Sequence, residues 1–199
     1  MSLLVESIRS EDGKLLNISL HNERMIRSLS GLFGLKSAID LEKLITIPEK
    51  AKKGVFKCRV EYDSEIRKVE FILYIIKCVS SLKIVENNTI EYAHKFADRK
   101  QIDGLFSKRE RADDILIIRN GMVTDTSYAN VVFRDINGNW ITPSTFLLSG
   151  TRRESLLNSG EIKEAVITYR DISKYTEVKL INAMLGLDDT VGIPIANIY

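Results

Sequence analysis

Three short stretches of the chain hold residue types suited to covalent and anion chemistry. Gly150-Thr151-Arg152 stands where a helix is expected to open. The free N–H groups of a helix start and an arginine fork together seat a phosphate-like anion, and glycine lets the backbone approach closely. Lys95 has His94, Arg99 and Lys100 as cationic neighbours in sequence. A lysine condenses with an aldehyde only while its amine is neutral, and burial or nearby cations lower its pKa toward that state. Taken alone, Lys95 reads as a solvated lysine on a charged surface. Asp125 stands in the polar run Thr124-Asp125-Thr126-Ser127, which serves either as an Asx turn or as the mount of a working carboxylate. No metal site is expected, because only two histidines (His21, His94) and two isolated cysteines (Cys58, Cys78) are present.

The chain has 199 residues, 29 Lys+Arg against 27 Asp+Glu, and 44% hydrophobic residues. That hydrophobic share excludes a disordered polypeptide, and the length suits one large domain or two small ones. A formal charge of +2, with acidic residues interleaved throughout, excludes a dedicated nucleic-acid binder. The longest apolar run, 71–76, is far short of the roughly 20 residues that cross a bilayer. The N-terminus lacks a basic head followed by an apolar core, so the expected compartment is cytoplasmic, with Cys58 and Cys78 read as buried free thiols and a disulfide or metal pair as the alternative.

The elements that must position these residues follow from periodicity. Segments 3–9 and 15–20 flank an Asp12-Gly13 turn and predict a hairpin. Met25, Leu29, Leu32 and Phe33 recur at helical spacing over 22–33, with Gly34 as C-cap, and 39–45 reads as a second short helix. Strands are expected over 54–62 and 69–76, and Ser80 to Asn88, lacking a strong period, reads as a linker. Beyond it come a charged helix over 99–111, strands over 115–118, 128–134 and 140–142, and a helix over 151–158. A strand over 164–169, a helix over 176–185 and a strand over 192–198 complete the reading.

One ordered series then stands out. Glu6-Ser7-Ile8-Arg9 leads to His21 and Arg24-Met25; Lys95-Phe96-Ala97-Asp98-Arg99 precedes Ala112-Asp113-Asp114. Gly121-Met122-Val123-Thr124-Asp125 comes five residues before Asn130, followed by Thr142-Pro143 and Leu147-Leu148-Ser149-Gly150-Thr151-Arg152-Arg153. Over nearly the whole chain this resembles the class IV aminotransferases, pyridoxal-phosphate enzymes of fold type IV. That family includes branched-chain and D-amino-acid transaminases and aminodeoxychorismate lyase. The resemblance implies a two-lobed α+β fold like that of D-amino-acid aminotransferase, shortened at the N-terminus. A small α+β domain over 1–86 would precede a larger domain with a pseudo-barrel over 87–199. It also implies a homodimer acting on a small amino-acid-type substrate, with neither nucleic acid nor membrane as partner.

The resemblance assigns roles residue by residue. Lys95 would carry pyridoxal 5'-phosphate and move the proton at the substrate's Cα, with Lys100 as the rival position. Asp125, where the family has Glu, would hold the proton on the ring nitrogen, beside Asn130. Arg24, Gly150, Thr151, Arg152 and the late segment Asn182-Ala183 would bind the phosphate. There are departures: Ser149 replaces a proline, Thr151 directly follows Gly150, and Lys100 stands where branched-chain transaminases have a cofactor-contacting tyrosine. The Lys-x-x-Asp-Arg context and Lys100 favour aminodeoxychorismate lyase-like chemistry, releasing pyruvate and 4-aminobenzoate. A transaminase of branched-chain or D-amino acids and a degenerate non-catalytic relative are the alternatives. If Lys95 carries the cofactor, borohydride will fix pyridoxal phosphate to wild-type protein and to Lys100→Ala but not to Lys95→Ala. Peptide mapping of the reduced adduct checks this.

Overall fold

Asp12 and Gly13 both hold left-handed backbone, with φ of 46° and 77°. This two-residue reversal turns β1 (Leu4–Glu11) into β2 (Lys14–Leu15) in the computed structural model, which describes residues 3–35 and 39–199. Met1 and Ser2, part of the N-terminal stretch considered above, lie outside the described residues. The second strand stops at Leu15, not at Leu20 as expected. Asn17 adopts a left-handed conformation (φ 53°) and starts α1 (Ile18–Phe33) there. Gly34 ends that helix at φ 65°, its N–H reaching back to Leu29 O and Ser30 O. A single turn, α2 (Leu41–Leu44), then leads to β3 (Val55–Tyr62) and β4 (Ile66–Leu73). The strands form one antiparallel sheet in the order β2-β1-β3-β4. Leu4, Ile8, Met25, Leu29, Leu41, Cys58, Val60 and Tyr62, all fully buried, make the core between this sheet and α1.

The chain divides into two compact units. The first comprises the residues up to Ile75 together with His94–Asp98, and the second comprises Ile76–Ala93 and Arg99–Tyr199. The junction expected near residue 86 is therefore displaced, and the supposed linker holds a strand, β5 (Leu82–Glu86). Its Ser-Ser and Asn-Asn flanks are strand boundaries. Leu82 and Val85 are buried because β5 pairs in parallel with a strand far along the chain, a long-range partner that no local period reveals.

After β5 the second unit continues with α3 (Lys100–Phe106), β6 (Asp114–Arg119), β7 (Met122–Val123), β8 (Asn130–Arg134), β9 (Trp140–Pro143) and α4 (Thr151–Asn158). It ends with β10 (Lys163–Ala165), β11 (Glu177–Ile181) and β12 (Ile193–Pro194). One sheet runs β5-β6-β7 and the other β10-β9-β8-β11-β12. Isolated backbone bridges from Leu82 to Ile198 and from Met122 to Thr168 tie the two together. Leu82, Leu116, Ile118 and Val123 from the first sheet share one core with Val131, Phe133, Val178, Leu180 and Ile193 from the second.

The helix expected over 176–185 is a correction. Val178 and Leu180 face the core while Glu177 and Lys179 do not, a period of two that pairs β11 with β8. A turn over 182–185 follows, and its Met184 and Leu185 mimic a continuing helical stripe. The strand expected over 164–169 ends at Ala165. The capping box of Thr168 and Asp171 starts a 3-10 segment there instead. The terminal strand shrinks to two residues before another 3-10 turn. Both cysteines are free, but only Cys58 is buried; Cys78 is exposed. Among the described residues no helix is long and apolar enough to cross a membrane.

Phe133 is fully buried and lies 5.1 Å, ring centre to ring centre, from Tyr175. Phe133→Ala will lower the second unit's stability by about 3–5 kcal/mol. Ile136→Ala, at a side chain 82% exposed, will change it by less than about 0.5 kcal/mol. Denaturant titrations read by the single tryptophan, Trp140 in β9, will separate the two.

Candidate functional site

In the first unit, Glu6 occupies the inward face of β1 between Leu4 and Ile8 and is fully buried. His21, Arg24, Met25 and Ser28 line the buried face of α1 at helical spacing, which turns two basic side chains toward that carboxylate. Arg24 donates from Nε to Oε1 at 2.9 Å and from Nη2 to Oε2 at 2.5 Å. His21 Nδ1 lies 2.6 Å from Oε2. Burial alone would raise the Glu6 pKa, but Arg24 and His21 outweigh it and bring it down to about 2. An ionised carboxylate only accepts, so the imidazole carries its proton on Nδ1. Burial lowers the His21 pKa, with Arg24 and Lys95 acting in the same sense against Glu6.

Lys95 reaches this unit on a short return of the chain. Val5 N–H donates to Lys95 O at 2.9 Å and Ala97 N–H to Leu3 O at 2.8 Å, so residues 95–97 lie along β1. Phe96 N–H donates to His94 O at 3.0 Å and closes a three-residue turn with Lys95 at its apex. Phe96 packs on the first unit's core, while His94 sits against Gly31 with Nδ1 3.3 Å from Ser28 Oγ. Lys95 and Arg24 both oppose the protonation of His21. Lys100, the rival lysine, is exposed at the start of α3 in the second unit.

The remaining candidates lie in the second unit. Asp125 is 6% exposed and all its close partners are neutral donors. Asn130 Nδ2 donates to Oδ1 at 2.8 Å, and the N–H groups of Leu147 and Leu148 donate to Oδ2 at 3.1 and 3.0 Å. Burial pushes the carboxyl up to about 6 despite those bonds, and the more distant Arg153 offsets it only in part. Asn130 also donates from Nδ2 to Leu148 O at 3.0 Å, and its Oδ1 lies against Gly150. A Cβ at position 150 would collide with that oxygen, so glycine is required there by space; its φ of −80° is ordinary.

Gly150 caps α4, and Thr151 is buried at its first turn. Arg152 lies beside Gly186, next to the turn that Asn182 and Ala183 open. Asn182 Oδ1 accepts Met184 N–H at 2.8 Å and braces that turn. Arg153 is structural: it bonds Pro143 O at 2.9 Å, pairs with Glu164 and stacks 4.6 Å over Phe146.

Glu6 and the Leu147 and Leu148 amides were not assigned roles from sequence. Glu6 had a readable signal, since a carboxylate alternating with Leu4 and Ile8 on a buried strand face must have a partner. The backbone donors had none.

The family model for class IV amino-transferases matches residues 78–189. The chain belongs to this family. An uncharacterised protein of Haemophilus influenzae is 41% identical over 187 residues, covering 92% of this chain and 98% of the relative. A crystal structure from Haemophilus somnus 129PT, provisionally described as a 4-amino-4-deoxychorismate lyase, is similar at 36% identity with a TM-score of 0.87. It covers 94% of this chain and 98% of its own. The pyridoxal-phosphate-bound form of a hypothetical aminotransferase from Mycobacterium tuberculosis shares the fold at 15% identity, TM-score 0.75, over 99% of this chain and 81% of that one. Family and fold are those of pyridoxal-phosphate enzymes. Asp125 fits that group: a carboxylate shut away from water and bonded only by neutral N–H donors is a receptor for a protonated ring nitrogen.

The Glu6–Arg24 pair makes a stability prediction. Arg24→Ala strands a buried carboxylate and will cost about 3–5 kcal/mol. Glu6 titrates near 2, below its ordinary 4.5, so its contribution is complete above pH 4.5 and is lost as pH falls toward 2. The shift corresponds to about 3 kcal/mol. Urea titrations of the cofactor-free protein across that range will show the loss in wild type and not in Glu6→Gln.

Proposed function

We propose that this class IV family member is a pyridoxal-phosphate-dependent lyase of the aminodeoxychorismate type, releasing pyruvate and 4-aminobenzoate. The carrying observation is the buried Asp125 carboxylate, braced by the neutral donors Asn130, Leu147 and Leu148 and, among the described residues, in no ion pair. When bound, pyridoxal phosphate supplies an electron sink that weakens the bonds at the substrate's Cα. In this reading Asp125 holds the proton on the ring nitrogen, and Lys95 carries the cofactor and moves the Cα proton. In the second unit the α4 start at Gly150, Thr151 and Arg152 and the turn at Asn182 and Ala183 are the phosphate candidates, and Arg24 is the candidate in the first. Since two Arg24 donors already bond Glu6, an anion there shares the guanidinium with a carboxylate. Glu6 thus sets the direction in which Arg24 can serve.

The lyase assignment draws support from Lys100 in place of a tyrosine, from the Lys95-x-x-Asp98-Arg99 context, and from the description of the Haemophilus somnus relative. A second copy of the chain and a cytoplasmic setting belong to the same reading. Ile72, Leu73 and Ile75, exposed on and just after the open edge strand β4, are apolar surface that a second copy would cover.

The overall reaction is an elimination whose atoms balance without a 2-oxo acid. Purified protein given pyridoxal phosphate and aminodeoxychorismate will therefore release pyruvate without one, in a coupled lactate dehydrogenase assay. Asp125→Asn will abolish that release while leaving the borohydride-reducible adduct at Lys95. Conversion of the cofactor to its amine form by simple amino acids, with no pyruvate from aminodeoxychorismate, would replace the lyase by a transaminase.

A further inference from the structure

Asp125 and Asn130 face each other across the turn 126–129, with their backbones bridged and their side chains bonded. The turn's internal bonds run from Thr126 N–H to Ala129 O at 2.8 Å, and from the N–H groups of Ala129 and Tyr128 to Thr126 Oγ1 at 3.1 and 3.4 Å. They fix its shape without tying its tip to its surroundings. Two side chains grip that tip at one buried residue. Arg99 Nη2 donates to Ser127 O at 2.8 Å, and Asp114 Oδ1 accepts Ser127 N–H at 3.4 Å.

The two holds are unequal. Asp114 is fully buried at the start of β6, and its Oδ2 has no hydrogen-bond partner among the described residues. Its Oδ1 takes its short bond, 2.7 Å, from Ile115 N–H, so the 3.4 Å contact with Ser127 is the weaker hold and the 2.8 Å bond from Arg99 the stronger. Arg99 also lies near Asp103 at the surface, its Nε 3.5 Å from Oδ1, an exposed ion pair too long to fix the guanidinium. Aspartate has one methylene, so its carboxylate follows its backbone more closely than the family's glutamate would. The turn that sets the backbone of Asp125 therefore sets the carboxylate.

We infer that Arg99 is a positioning residue for Asp125, acting through the Ser127 carbonyl to fix the turn that carries the carboxylate. Misplacement of a working group by about an ångström costs on the order of a hundredfold in rate. The bond partner of Arg99 is the Ser127 carbonyl, and Arg99 follows Lys95 by four residues in sequence. The inference rests on the reading of Asp125 given above.

Arg99→Ala, Arg99→Lys and Asp103→Ala will be compared with wild type in two measurements. In the loaded enzyme, kcat for pyruvate release will fall about ten- to a hundredfold in Arg99→Ala with KM changed less than about threefold. Arg99→Lys will recover part of the loss, because an ammonium still donates to a carbonyl. In the cofactor-free protein, carbon-13 NMR will show the Asp125 carboxyl titrating nearer its ordinary 3.8 in Arg99→Ala, as water reaches it. Asp103→Ala will leave both measurements at wild-type values. Wild-type kcat and an unmoved Asp125 titration in Arg99→Ala, even with lowered thermal stability, would overturn the inference. If wild type takes up no pyridoxal phosphate, the cofactor reading falls instead, and the NMR titration alone decides whether Arg99 places the carboxylate. Should Arg99→Ala fail to fold, Arg99→Lys carries the same comparison at smaller amplitude.

Discussion

In the second unit the Asp125 carboxylate is taken out of water and bonded by neutral donors, and the turns on either side of it are built to supply them. Asp125 receives N–H bonds from an amide side chain and from two successive backbone amides, all of which favour its ionised form. Burial opposes them and leaves it titrating near 6. A group raised in this way favours folding below its ordinary 3.8 and works against it once pH rises through 6. The ionised carboxylate therefore weakens folding at neutral pH. Asn130 links this carboxylate to the N-terminal end of α4, because its amide bonds Asp125 while its oxygen leaves room only for glycine at 150.

The first unit solves the same problem differently. Glu6 is more deeply buried than Asp125, yet it is bonded by a guanidinium and an imidazole, and its pKa falls to about 2. One carboxylate is neutralised inside its own unit and the other is not. The contrast separates an ion pair, which orients Arg24, from a carboxylate bonded by neutral donors. The neutral His21 completes the first arrangement, because a second full positive charge in that space would oppose both Arg24 and Lys95.

Short backbone devices deliver these side chains. Residues 94–98 cross into the first unit and run beside β1, so Lys95 is fixed by main-chain bonds on either side of it. The turn 126–129 and the loop ending at Leu148 do the same for Asp125. The long strands supply the base: β6, β8 and β11 are buried through most of their length and share one core. Functional groups therefore sit at strand ends and turns, where the backbone is free to point them, while the strands themselves resist displacement.

Local pattern was enough to read the Asp12-Gly13 reversal, the body of α1 with its Gly34 cap, and β3, because each depends on residues a few positions apart. The ordered series from Glu6 to Arg153 carried the family and its candidate residues, because side-chain type and spacing survive even where the contacts are unknown. Local pattern failed where a distant partner decided the outcome. Leu82–Glu86 became a strand through pairing with β6, and Glu177–Ile181 through pairing with β8, both against weak or misleading local periods. The same limit governed the site. Sequence by itself determined that Arg24, Lys95 and Asp125 could do this chemistry. Only the tertiary structure decided that Arg24 is already engaged by Glu6 and that Asp125 is held by the backbone of Leu147 and Leu148, since burial and main-chain donors are properties of packing.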